Sequence, residues 1–107
     1  KTLAQLMGHR KRKGSSRVQV IWTQKAILHL TAIRSFIERD KPEAARRVVE
    51  RIILASEHLA AHPHRGRPGR KAGIRELPIP NTPFILPYRI RGNTLTILAV
   101  LHGAQSR

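Results

Sequence analysis

One histidine and a few arginines in the C-terminal third could act together on a phosphate group. Cleavage of an RNA backbone needs a base for the 2′-hydroxyl, an acid for the leaving 5′-oxygen, and positive charge on the phosphate. His102 is of the residue type that titrates near neutral pH, and Arg75 and Arg89 carry guanidinium groups that bind phosphate bidentately. The alternative is that these residues have no chemical role. In that case the histidine is an exposed residue at a strand end, and the arginines form surface ion pairs with Glu76.

Three further side chains could contact a nucleic-acid substrate. Arg70 and Lys71 are candidates for phosphate binding, and Tyr88 could stack on a base. A tyrosine beside an apolar strand is also typical of a core residue with a solvated hydroxyl. We expect no metal and no cofactor, because His58 and His62 have i, i+4 spacing without the glutamate of an HExxH motif, and the chain has no cysteine.

The net charge of +15 is unevenly distributed along the 107 residues. Six of the 21 basic residues lie in the first 17 positions, and eight lie from Arg65 onward beside a single acid, Glu76. The other five acids fall between Glu38 and Glu57. This charge predicts an anionic partner, either nucleic acid, a membrane surface or an acidic protein. The basic tail is either a nucleic-acid arm or a solvated extension.

Length and composition indicate one small domain. No run approaches the roughly 20 apolar residues of a membrane span, and the absence of cysteine excludes a disulfide scaffold. No apolar signal segment follows the N-terminal charges, so we expect a cytoplasmic protein with no membrane partner. We divide the chain into a basic extension or linker over residues 1–17 and a folded domain over residues 18–107.

Hydrophobic spacing and breakers place the secondary structure. Val18–Trp22 alternates like a strand, and Thr23 is a plausible N-cap for a helix that ends at Glu38. A second helix, capped by Asp40, is predicted to end at about Ala61. After a loop, strands are predicted over Ile74–Ile79, Phe84–Ile90 and Thr94–Leu101.

Two local signals refine the second half. Gly92-Asn93 indicates a two-residue hairpin, and Pro87 indicates an edge position or a bulge because proline cannot donate to a sheet ladder. The predicted fold class is α+β with the order β-α-α-β-β-β, a helical hairpin packed on a small, mainly antiparallel sheet.

A co-linear set of short segments resembles the RelE/ParE superfamily of bacterial toxins from type II toxin–antitoxin pairs. The segments are Val20-Ile21-Trp22-Thr23, Pro42-Glu43-Ala44-Ala45, Arg65-Gly66-Arg67-Pro68, Arg75-Glu76-Leu77, Tyr88-Arg89-Ile90 and Ile97-Leu98-Ala99-Val100-Leu101-His102. The resemblance covers residues 18 to 105, and it implies the same α+β fold and a separate antitoxin partner.

The resemblance implies two alternative targets, and we predict the first of them, messenger RNA on the ribosome, with DNA gyrase as the alternative. Some members are ribosome-dependent endoribonucleases that cleave messenger RNA, and several carry a histidine at the position of His102. On this first hypothesis the partners are the ribosome and mRNA, His102 does acid–base work, and Arg75 and Arg89 hold the phosphate. The ParE branch poisons DNA gyrase without enzymatic activity, and Gly103, where some ribonucleases have an aromatic residue, favours that branch. A third hypothesis is a regulator without toxicity.

Overall fold

A computed structural model describes residues 17–103, which form a helical hairpin packed against one face of a mixed sheet. The elements are β1 (Gln19–Trp22), α1 (Gln24–Glu38), α2 (Pro42–Ala61), β2 (Arg67–Pro68), β3 (Arg75–Pro78), β4 (Phe84–Arg91), β5 (Thr94–Ile97) and β6 (Leu101–His102). The predicted α+β class and helical hairpin are confirmed. The proposed extension, Arg17 apart, lies outside the described residues.

The sheet has the strand order β1-β5-β4-β3-β2, and β6 pairs with the first part of β4. Strand β1 runs parallel to β5, and the remaining pairs are antiparallel. Gly92 and Asn93 form the predicted two-residue connection between β4 and β5, and Gly92 has φ +56°, which glycine adopts without strain.

The helices begin where their capping chemistry allows. The Thr23 hydroxyl accepts the Ala26 amide at 3.0 Å, which confirms Thr23 as the cap of α1. Asp40 is not the cap of α2, because Pro42 occupies the first turn and the cap position falls on Lys41, whose side chain makes no capping bond.

The core lies between the hairpin and the sheet. Apolar residues at helical spacing on both helices meet alternate residues of the central strands, and the largest fully buried side chains are Leu30, Ile52, Leu59, Leu86, Tyr88, Leu95 and Ile97. Burial of one such aliphatic side chain contributes about 1.5–3 kcal/mol to folding. The core therefore fixes β4 and β5 as the rigid centre of the sheet.

The last predicted strand is divided in two. The ladder with β4 stops after Ile97 and resumes at Leu101, so the predicted continuous strand Thr94–Leu101 is wrong at residues 98–100. Pro87 explains the break. Its carbonyl accepts the Leu98 amide at 2.9 Å. Because the nitrogen and the carbonyl of a strand residue point to the same side, the Pro87 nitrogen also faces this gap in the ladder, and it has no hydrogen to donate.

A two-residue strand, β2, was not predicted. Arg67 and Pro68 pair with Glu76 and Arg75, so part of the predicted loop 62–73 is attached to the edge of the sheet. The pair is too short to leave a period-2 hydrophobic signal in the sequence. Its consequence is that the loop after α2 is held close to β3.

Candidate functional site

Tyr88 lies in the core and binds the loop that follows α2. Its ring is fully buried, its hydroxyl donates to the Pro63 carbonyl at 2.8 Å, and the hydroxyl accepts the Gly66 amide at 2.8 Å. Burial raises the pKa of the Tyr88 hydroxyl above its ordinary value, while the Gly66 amide and the Arg75 charge act in the opposite direction. The hydroxyl is therefore a protonated donor at neutral pH, and the ring is not available to stack on a base.

Arg75 binds the same loop from the neighbouring strand. It is the direct cross-strand partner of Tyr88, and its guanidinium donates to the carbonyls of Gly66 and His64. Charged donors bind carbonyl oxygens more strongly than neutral donors do. In this structure Arg75 is thus a positioning residue for residues 64–66.

Gly66 allows these two side chains to meet the loop. A Cβ atom at this position would lie 2.6 Å from the Tyr88 Oη and 2.8 Å from the carbonyl oxygen of Glu76. Only glycine fits so close an approach without movement of the backbone. The sequence shows Gly66 in the segment Arg65-Gly66-Arg67-Pro68. It does not show that the partner of Gly66 is Tyr88, 22 residues away.

Arg89 lies on the sheet face that the helices do not cover. Successive strand residues face opposite sides, so the burial of Tyr88 under the helices turns Arg89 the other way, beside its cross-strand partner Thr96. The Nε of Arg89 is buried and has no hydrogen-bond partner among residues 17–103. Glu76 does not form the surface pairs suggested for Arg75 and Arg89, since its carboxylate instead lies 3.5 Å from Arg67.

His102 is exposed on β6, beside the first residue of β4. It pairs with Phe84, whose ring meets the imidazole edge-on at a centroid distance of 6.0 Å, and the next amide, of Gly103, donates to the Pro83 carbonyl at 2.7 Å. The strand end is thus well fixed, and the imidazole is accessible.

The three proposed catalytic residues do not converge. Arg75 pairs with Tyr88 and His102 pairs with Phe84, and these partners lie four residues apart on β4, which is about 13 Å along a strand. Arg75 and His102 also flank β4 on opposite sides, and Arg89 lies on the other face of the sheet. The expected convergence of Arg75 and Arg89 is not found.

Arg70 and Lys71 project from the connection between β2 and β3, and both are exposed. We call residues 62–73 the cationic lobe. Its exposed basic residues are Arg65, Arg67, Arg70 and Lys71, and the sequence of the lobe contains no acid. The phosphate-binding candidates therefore belong to a surface separate from His102.

His29 is a further residue that the sequence did not indicate. Its Nδ1 accepts the Val100 amide at 3.2 Å, across 71 residues, at the break between β5 and β6. In the neutral ring the proton then lies on Nε2. Nearby, the Thr23 hydroxyl donates to the Leu98 carbonyl at 3.1 Å, so α1 holds the chain segment that leads to His102.

The part of the chain that the structure describes has neither a cluster of metal-ligating side chains nor a helix that could cross a membrane. Residues 17–103 contain no group of three His, Cys, Asp or Glu side chains placed to hold a metal ion. Over the same residues, neither helix combines the length and apolar character that crossing a bilayer requires.

The comparisons with known proteins all find toxins or toxin–antitoxin systems. The family model described as the ParE toxin of the type II toxin–antitoxin system parDE matches residues 20–107. A toxin-named protein of Sinorhizobium fredii, Y4kP, is 46% identical over 90 residues, which cover 84% of this chain and 93% of the relative. Toxin RelE2 of Caulobacter vibrioides is 37% identical over 87 residues, 81% of this chain and 97% of the relative.

A solved structure repeats the fold. A chain of the chromosomal ParDE toxin–antitoxin system from P. aeruginosa superposes with a TM-score of 0.74 and is 31% identical. The match covers 82% of this chain and 98% of that chain.

Proposed function

Because the chain belongs to the ParE toxin family, within the RelE/ParE superfamily of type II toxins, we propose that it stops growth as a gyrase poison without catalysis of its own. A type II toxin has a cognate antitoxin as its partner, which follows from the family itself. The target is the part that we propose.

The separation of His102 from both arginines carries this proposal. General acid–base cleavage needs its groups within hydrogen-bond reach of one phosphate, about 3 Å. Arg75 and His102 are instead attached to opposite sides of β4, and the Arg75 guanidinium is engaged with loop carbonyls. A toxin that acts by binding needs no such convergence, only a firmly folded surface.

RNA cleavage stays a prediction, and one observation favours it. His102 is exposed and edge-on to Phe84, so it could exchange a proton with a bound substrate. In that case the positive charge on the phosphate would have to come from groups other than Arg75 as it is placed here.

Pulse-labelling of DNA, RNA and protein synthesis distinguishes gyrase from messenger RNA as the target. The labels are added after induction of the full chain in cells without antitoxin. We expect DNA synthesis to stop first, and the His102→Ala variant to inhibit growth as the parent chain does. If protein synthesis stops first and His102→Ala abolishes the effect, the chain is a ribonuclease. If the parent chain gives no growth defect, it is a regulator without toxicity.

A further inference from the structure

The cationic lobe is held rigidly although it is a surface loop. The Tyr88 hydroxyl and the Arg75 guanidinium bind its first residues, and β2 pairs it to β3. At its tip the Gly69 amide donates to the Ile74 carbonyl at 2.7 Å, and the Ile74 amide donates to the Lys71 carbonyl at 3.1 Å. A preorganised loop loses little conformational entropy when it binds a partner.

The charge of the lobe is one-sided. Four exposed basic residues lie within twelve positions without an acid, and the carboxylate of Glu76, from β3, lies 3.5 Å from Arg67. Like charges on one short loop repel, and an anion with several charges relieves that repulsion. The lobe therefore suits a polyanion better than a single phosphate.

The chemistry of the lobe distinguishes between polyanions. Residues 62–73 contain no Phe, Trp or Tyr, and Tyr88 beneath them is fully buried. Recognition of single strands relies on aromatic platforms for unstacked bases, whereas a duplex backbone is bound by cations alone. The lobe has only the second kind of group.

We propose that the cationic lobe binds the phosphate backbone of duplex DNA, without sequence preference. Arg65, Arg70 and Lys71 supply the contacts, while Arg67 is engaged with Glu76. The contact needs no second protein, so it can be tested apart from the proposed action on gyrase. If DNA binding by the lobe and the proposed action on gyrase are both correct, the lobe contacts the DNA segment that is bound to gyrase.

Binding of the full chain to a labelled 20-base-pair duplex, measured by fluorescence anisotropy from 50 to 200 mM salt, tests this proposal. The triple variant R65Q/R70Q/K71Q should lower affinity at least about ten-fold and reduce the slope of log K against log salt by roughly 2 to 3. The matched control R46Q/R47Q/R51Q removes three exposed charges from α2 and should change affinity less than two-fold. The basic residues of positions 1–17 are present in every protein compared, so their contribution cancels.

A second variant and two competitors complete the test. R65K/R70K keeps the charges and should keep the salt slope of the parent chain, because that slope depends on the number of phosphates that cations neutralise. Equal losses in the two triple variants would mean diffuse attraction to net charge and overturn the proposal, as would no loss in either. Tighter lobe-dependent binding to a 20-nucleotide single strand, or to poly-glutamate of equal charge, would assign the lobe to RNA or to an acidic protein instead.

Discussion

Arg75 and Tyr88 are direct partners across β3 and β4, and both side chains bind the backbone of the loop that follows α2. Two residues that could have contacted a substrate therefore hold the protein's own chain. The same pair positions the cationic lobe, whereas His102 lies at the other end of β4, against Phe84.

Removal of one oxygen should loosen the loop. Tyr88→Phe keeps the ring in the core but leaves the Pro63 carbonyl and the Gly66 amide without their partner, which costs about 1–3 kcal/mol of unfolding free energy. Urea denaturation gives the loss, and hydrogen exchange at the Gly66 amide gives its location. Unchanged protection of that amide would mean that the hydroxyl does not hold the loop.

The two anchors should act as one unit. Once Tyr88→Phe has released the loop, Arg75→Ala has less left to break, so the double variant should lose less stability than the sum of the singles, by about 0.5–3 kcal/mol. Arg46→Ala on the exposed face of α2 is the control and should add to Tyr88→Phe within about 0.5 kcal/mol. Strict additivity of the anchors would show that they hold the loop independently.

Tyr88 is the only tyrosine of the chain, so its ionisation can be read alone from absorbance at 295 nm. Burial raises its pKa in the folded protein, so the native protein should form phenolate at higher pH than the same protein in urea. The stability that this shift contributes is complete below about pH 10 and is lost as pH rises through the folded-state pKa. The stability difference from Tyr88→Phe should shrink over that range, and titration near pH 10 in both states would contradict the burial.

The His29 imidazole should matter for the segment that carries His102. His29→Ala leaves the Val100 amide without an acceptor and should cost about 1–2 kcal/mol, with faster exchange of that amide. His29→Asn can place its Oδ1 near the position of the Nδ1 and should recover part of the loss. Equal exchange in the parent chain and in His29→Ala would mean that the hydrogen bond contributes nothing.

Local signals were sufficient for the helices and for one turn. The apolar spacing of α2, the cap at Thr23 and the Gly92-Asn93 hairpin each depend on residues within one or two turns of chain, and the structure has them as predicted. The break at residues 98–100 was missed, because it depends on where Pro87 lies in a neighbouring strand.

The candidate site could be predicted from the sequence less well than the helices, for a related reason. Tyr88 and Arg89 are neighbours in one strand and must face opposite sides, so the alternation could have separated them. That Arg75 lies opposite Tyr88 depends on the strand register, and that both bind loop carbonyls depends on backbone atoms, which carry no signal in the sequence. Family resemblance gave the toxin assignment, which the comparisons confirm, but not the target.

We propose that this toxin acts by binding gyrase rather than by cleaving RNA with His102. The most direct measurement mixes the purified full chain with gyrase, ATP and supercoiled plasmid, and then scores protein-linked DNA breaks after denaturation. We predict breaks that increase with toxin concentration and are unchanged in His102→Ala. No breaks in this mixture, together with ribosome-dependent cleavage of messages that His102→Ala abolishes, would contradict the claim.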